Sequence, residues 1–308
     1  MTTTSTKTGK EKRRGMTFRQ KDALVGYLMI SPIMLGILFF AIVPIIFSLF
    51  ISFTSWNMIT PWEWVGLANY RTMFNDRMLG IIWSNTLTYV LIGIPGSIIV
   101  GLLLALGVST AGLRGGPFYR TVFFLPNITT TVAIVIVWSW LYDRHFGLFN
   151  NILAIVGIAP VPWLSSTAWA MPSIAFMAIW QAMGYNMIIL AAGLKGIDET
   201  YYEAAKIDGA SKLKCLRYIT LPMLTPTLFF LVVMQFIGFF QMFDAAFVMT
   251  QGGPGHATNT IVLHIYRTAF TFFRMGEASA YAWLMFAVVF VVTGIQFALQ
   301  KKWVTYDA

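Results

Sequence analysis

Charge is scarce in this sequence: 11% of its 308 residues are Asp, Glu, Lys or Arg, against about a quarter in a typical soluble domain. That scarcity excludes an ordinary soluble enzyme. Cysteine is scarcer still. Cys215 stands alone, so neither a disulfide framework nor a cysteine-built metal site can form within the chain. The three histidines, His145, His256 and His264, lack the spacing of a ligand set, which argues against a metal centre. No G-x-x-x-x-G-K-[ST] loop occurs, so the chain does not cradle ATP by that route. The longest polar segments run to about 30 residues, too short to enclose a soluble core of their own.

Apolar mass is what the chain has in excess. Hydrophobic residues make up 57%, with 26 Phe, 11 Trp and 12 Tyr, and the mean hydropathy is +0.71. One soluble core of this size cannot use that much, so most of it must face lipid. A membrane-spanning helix takes about 20 mostly apolar residues, and six stretches qualify: 24–53, 87–108, 121–142, 168–194, 226–248 and 278–299. The expectation is an all-α membrane protein built as a six-helix transmembrane bundle. The first stretch has a basic flank like a signal peptide but is too long and lacks a small-residue cleavage site, so it reads as a retained helix.

Lysine and arginine set the orientation, because positively charged loops stay cytoplasmic. Sixteen of them fall on the side of both termini, including Arg114, Arg120, Lys195, Lys301 and Lys302; five, Arg71, Arg77, Arg144, Arg267 and Arg274, fall on the other. Both termini are therefore expected in the cytoplasm. Acids divide seven to five, so the whole formal charge of +9 sits on the cytoplasmic face, where anionic lipid attracts it. These cations are spread over separate loops, which argues against a nucleic-acid partner. Residues 1–22 read as a disordered basic cytoplasmic tail and residues 23–308 as the transmembrane domain.

The most polar stretch of the body is 195–222, KGIDETYYEAAKIDGASKLKCLRYITLP. Its apolar residues, Tyr201, Ala204, Ala205, Leu213, Leu216 and Ile219, recur at helical spacing, interrupted at Asp208-Gly209. Gly209 can take the positive φ that ends a helix, so the stretch reads as helix, turn, helix, and Pro222 marks the entry to the next span.

Within the spans, polar residues are costly and mark candidate pathways. Asn127 and Thr131 stand four apart, as do Gln181 and Tyr185, with Asn186 adjacent; Gln235, Phe239 and Met242 follow i, i+4, i+7, with Gln241 and Asp244 nearby. Each set forms one stripe along its helix. The alternative for each polar residue is a bond between helices that only holds the bundle together.

Glu203-Ala204-Ala205, three residues, Gly209, nine residues, Ile219, one residue and Leu221-Pro222 together resemble the EAA signature of inner-membrane permease subunits of binding-protein-dependent ABC importers. Further stretches resemble the maltose and glycerol-phosphate branch: Val65-Gly66-Leu67 with Asn69-Tyr70, Asn85-Thr86, Phe124-Leu125-Pro126-Asn127, Gly147-Leu148 with Asn150, Trp163-Leu164, and Gly252-Gly253-Pro254. The resemblance implies a type I ABC importer permease fold in the plasma (inner) membrane of a prokaryote. It implies a second homologous permease subunit, an ATPase dimer that carries the ATP and Mg, and an extracytoplasmic sugar-binding protein, with no catalysis and no cofactor on this chain. It further implies that Glu203, Ala204, Ala205, Asp208, Gly209 and Ala210 dock into the ATPase. By the same resemblance Asn127, Thr131, Gln181, Ala182, Tyr185, Gln235, Phe239 and Met242 stand where the maltose-type permease contacts its sugar. Ala182, Phe239 and Met242 do not hydrogen-bond hydroxyls, a departure from the family pattern that puts maltose itself in doubt; two glutamines, an asparagine, a tyrosine and a phenylalanine still suit a sugar, whose hydroxyls need amide partners and whose CH faces pack on rings. The competing expectation is a stand-alone secondary transporter or channel. That reading wants paired buried ionisable groups, and the spans offer only Asp244, near the outer end of the fifth.

Overall fold

The computed structural model describes residues 17–110 and 114–305. By contacts, the chain divides into Met1–Phe50 and Ile51–Ala308. The first unit carries α1 (Phe18–Ile37), a π-turn (Leu38–Ile42) and most of α2 (Val43–Ile51). Pro44 has no N–H to donate to the Phe40 carbonyl, and the wide turn lies just before it. Ser31 and Ser48 turn their hydroxyls onto the Leu28 and Ile45 carbonyls at 2.9 and 2.8 Å, which satisfies them within the helix, as lipid requires. Helix begins at Phe18, so the disorder expected over 1–22 is corrected for 18–22: extending a long helix gains a hydrogen bond per residue with no new nucleation cost. The rest of that tail, 1–16, lies outside the described residues.

In the second unit a short α3 (Ala68–Asn75) leads to α4 (Arg77–Val108). Asp76 caps α4 by accepting the Met78 N–H at 2.8 Å, which starts the helix well before the expected residue 87. Gly93, Ser97, Gly101 and Ala105 recur every fourth residue of α4 and are buried. This small-residue stripe lets α8 (Ala170–Lys195) approach closely: a β-carbon on Gly101 would stand 2.5 Å from that of Asn186.

The third expected span is not one straight helix. It comprises α5 (Gly116–Ile128) and α6 (Thr131–Leu141), meeting at 97°. Thr129 is extended, with ψ 142°, and its hydroxyl donates to the Leu125 carbonyl at 3.0 Å, covering an acceptor near the break. After α7 (Leu148–Ile155) and α8 come α9 (Glu199–Ile207), α10 (Lys212–Cys215) and α11 (Leu221–Met223). The segment Lys212–Met223 meets α12 (Thr225–Phe240) at 63°. The helix expected to reach residue 248 stops at Phe240, where the Gln241 N–H takes the Gly238 carbonyl in a tight turn at 3.2 Å. The Thr260 hydroxyl donates to the Met242 carbonyl at 3.1 Å, and a π-turn (Ala246–Thr250) follows. Then come α13 (Ile261–Tyr266) and α14 (Met275–Trp303). Among the described residues four helices are long and apolar enough to cross a membrane, or six crossings if each bent pair counts as one.

Short sequence motifs far apart in the chain meet as polar fasteners. Asn85 donates to the His256 and Asn259 carbonyls at 2.7 and 3.0 Å, and the Thr86 hydroxyl accepts the Ile261 N–H at 3.1 Å, tying α4 to the Gly252-Gly253-Pro254 loop. Asn150 exchanges bonds with the Val161 backbone and accepts the Trp163 indole N–H, each at 3.0 Å, joining α7 to the approach of α8. Asn69 holds the Ser52 and Thr54 carbonyls at 2.8 and 2.9 Å.

Candidate functional site

Two features stand out: a polar cavity inside the bundle and an exposed helix at the end where α8 finishes. The cavity, about 300 Å³, is an open cleft lined by α4, α5, α6, α8, α12 and the turn after α12. Asn127, Thr131, Gln181, Ala182, Gln235, Phe239 and Met242 all line it, together with Tyr89, Gly238, Gln241 and Asp244. Four chain segments distant in sequence thus converge. Gln181 Nε2 donates to Thr131 Oγ1 at 3.2 Å across α8 and α6. Gln235 Nε2 donates to Asn186 Oδ1 at 2.6 Å, and Asn186 is fully buried with its Nδ2 unpartnered. Gln235 therefore serves both the cavity wall and the α8–α12 junction. Phe239 lays its ring 5.1 Å from that of Tyr89, in space left open by Gly93, where a β-carbon would overlap the ring.

Tyr185 does not join this set. It packs instead beside Ala105, Met187, Leu190 and Leu231. Between Gln181 and Tyr185, α8 meets α5 at Gly184, and that close crossing separates the two levels. Tyr89 was not singled out from sequence because its span shows no polar stripe; the i, i+4 relation of Tyr89 to Gly93 is the signal that could have found it. Asp244, placed by sequence near the outer end of the fifth span, lines the cavity because α12 ends early.

A larger cavity, about 460 Å³, lies against α7 and α8 but is walled by Phe149, Trp163, Trp169 and Phe176. The Tyr142 hydroxyl at its edge is already spent on the Ser173 carbonyl at 2.8 Å. It offers a polar ligand little to bond, whereas the smaller cavity offers three glutamine amides, an asparagine, a threonine and a carboxylate.

The exposed helix is α9. Asp198 caps it, accepting the Thr200 N–H at 2.9 Å, and that bond holds the carboxyl below its ordinary range. Glu203, Ala204, Asp208 and Gly209 are exposed, and Ala205 and Ala210 half-buried. Gly209 has φ +72°, and a β-carbon there would meet nothing within 4 Å. The left-handed backbone demands glycine while the space above it stays open. The Ala210 N–H returns to the Ala205 carbonyl at 2.9 Å, and the Tyr202 and Thr220 hydroxyls bond at 3.0 Å, fastening α9 to the segment that enters α12. Ile207, 87% exposed, and Leu213, 74% exposed, flank the turn. Ile207 was missed from sequence because it falls off the apolar repeat. Apolar groups so exposed beside paired acids fit a protein-docking surface.

Comparisons with known proteins bear on the family and the fold. Residues 83–305 match the family model described as binding-protein-dependent transport system inner membrane component. The chain is 38% identical over 294 residues to the probable ABC transporter permease protein YesP of Bacillus subtilis (strain 168), covering 94% of each chain. It is 33% identical to the trehalose/maltose transport system permease protein MalF of Thermococcus litoralis, covering 89% of this chain and 93% of that one. Its fold is similar to a chain of a bacterial ABC transporter involved in the import of the acidic polysaccharide alginate, with TM-score 0.81 at 23% identity, covering 92% of this chain and 96% of that one.

Proposed function

Because this chain belongs to the binding-protein-dependent transport system inner membrane components, we propose that it is the permease subunit of an ATP-driven importer passing a carbohydrate across a prokaryotic plasma membrane. The observation that carries the carbohydrate reading is the cavity in which Asn127, Thr131, Gln181, Gln235 and Gln241 meet the rings of Tyr89 and Phe239. Amides and hydroxyls take sugar hydroxyls, and rings take the CH faces. Relatives named for trehalose, maltose and lactose transport support it.

In this reading the chain crosses the membrane six times, counting each bent pair as one crossing, with both termini cytoplasmic. The charge asymmetry supports that orientation. A second permease completes the channel, an extracytoplasmic binding protein delivers the sugar, and a dimeric ATPase binds ATP and Mg. The surface of α9 around Glu203, Ala204, Ala205, Asp208, Gly209 and Ala210 receives the ATPase. Its movement is transmitted through the Tyr202–Thr220 bond to α12, which carries Gln235 and Phe239 into the cavity wall.

The test is uptake of radiolabelled sugars by the complete complex in proteoliposomes supplied with the binding protein. Uptake should cease when the phosphate-loop lysine of the ATPase is replaced and persist when the membrane potential is collapsed. Transport by this chain alone under a sodium or proton gradient would overturn the reading.

A further inference from the structure

Where α5 begins and α8 ends, the bundle surface holds a pocket of about 190 Å³ lined by Arg120, Met187, Ile188, Ala191, Ala192 and Lys195. One end of it is cationic and the other apolar. Arg120 spends one guanidinium nitrogen on the Val108 carbonyl at the end of α4, at a long 3.4 Å, while its Nε is buried with no partner. Lys195 is exposed in the last turn of α8. Among the described residues the carboxylate partner within ion-pair distance is found only for Arg274, by Glu277, so Arg120 and Lys195 keep their charge unneutralised by an acid. The helix end beside Lys195 offsets part of that charge, and Arg120 retains a donor aimed at no protein acceptor. Ala192 and Ile188, about one and two turns before Lys195 on α8, are exposed, as are Tyr119 and Val122 on α5.

We propose that this pocket binds the phosphodiester headgroup of an anionic phospholipid of the inner leaflet, with the glycerol and first acyl carbons against Ile188 and Ala192. Three features select that ligand over a soluble anion. The two cations stand at the end of transmembrane helices, the level of headgroups. The wall leading away from them is apolar and faces outward, which a free phosphate cannot use. The volume equals about six water volumes, room for a phosphodiester and its glycerol carbon. Basic pockets between transmembrane helices on the cytoplasmic side are suited to such headgroups. The site pins α5, α8 and the end of α4 together, next to the segment that leads into α9. The inference rests on the orientation proposed above, and its test reads bound lipid rather than uptake, so the two fail separately.

The test uses the assembled complex in nanodiscs of phosphatidylcholine mixed with phosphatidylglycerol, released into mild detergent and weighed by native mass spectrometry. The expected result is selective retention of phosphatidylglycerol, reduced about five-fold by Lys195→Gln and further by Arg120→Gln, at roughly one such factor per cation near the membrane surface. Arg120→Lys, which keeps the charge, should retain most of it. Lys195 is exposed, so Lys195→Gln serves even where Arg120→Gln fails to assemble. Equal retention of the two lipids by the unaltered complex, unchanged retention in Lys195→Gln, or displacement of the lipid by millimolar inorganic phosphate would each overturn the proposal.

Discussion

Gly184 of α8 lies against the backbone of Phe123 in α5: a β-carbon on Gly184 would overlap the Phe123 carbonyl oxygen and stand 2.8 Å from the Phe124 α-carbon. No side chain can give way there, because the obstacle is main chain. The crossing sets the height at which Asn127 and Thr131 face Gln181, and so it determines the floor of the cavity. Gly184→Ala is therefore expected to cost about 1 to 3 kcal/mol by overpacking, lowering the melting temperature of the purified complex and its uptake together. A variant with unchanged thermal stability would show that the two helices separate readily at this point.

Gln181 and Gln235 should differ when each is replaced by leucine. Gln181→Leu removes an amide that lines the cavity and, among the described residues, bonds Thr131 alone, so uptake should fall, with a loss of about 1 to 2 kcal/mol of substrate interaction, while basal ATPase activity and melting temperature hold. Gln235→Leu also strips the fully buried Asn186 of its partner, an added penalty of about 1 to 3 kcal/mol. It should lower stability as well as transport, and Gln235→Leu with Asn186→Leu should recover part of the stability and none of the transport. Thermal unfolding and uptake measured on the same preparations decide it.

Gly209 separates backbone demand from docking. Asparagine tolerates the left-handed region, so Gly209→Asn should preserve expression and assembly better than Gly209→Val, whose branched side chain does not. Gly209→Arg and Glu203→Lys should leave the chain inserted but uncouple it, seen as loss of ATPase copurification and at least ten-fold lower ATP-driven uptake. Normal copurification in all of these would remove α9 from the docking surface.

Asp198 supplies a prediction in pH. Its folded-state carboxyl is held below the ordinary value by the Thr200 N–H, so its capping contribution is complete above the unfolded carboxylate value and is lost only as pH falls through the lower, folded one. Between pH 5 and 8 the cap stays intact. Asp198→Ala should loosen α9 and reduce coupled uptake by the same factor at every pH in that window. A wild-type to variant ratio that changed across it would assign the effect to another group.

Membrane class was legible from composition, and the helix, turn, helix of 195–222 from spacing; what that loop docks onto came only from the family resemblance. Lipid forces about 20 apolar residues per crossing, and 195–222 breaks that pattern with helical spacing around Gly209, whose φ of +72° bears out the turn. The stripe on each helix was legible from spacing, and of the eight residues that the family resemblance placed on one path, Ala182 among them, seven line a single cavity. Each polar residue inside the membrane carries a cost that periodicity makes visible.

What periodicity does not carry is where a helix breaks and which helix crosses it. Residues 121–142 have the length and mean hydropathy of one span, yet α5 and α6 meet at 97°, with the Thr129 hydroxyl bonded to the Leu125 carbonyl near the break. Residues 226–248 likewise have the length of one span, yet α12 stops at Phe240, and the Thr260 hydroxyl bonds the Met242 carbonyl just beyond its end. Tyr185 shares a stripe with Gln181 but lies beyond the Gly184 crossing, in the packing around Met187 and Leu190. Local sequence determined which segments enter the bilayer and which face of each is polar, since those follow from transfer energies summed along one helix. Tertiary structure alone decided the bends, the cavity floor and the partner of each buried amide, since those depend on donors and close approaches supplied by segments remote in the chain.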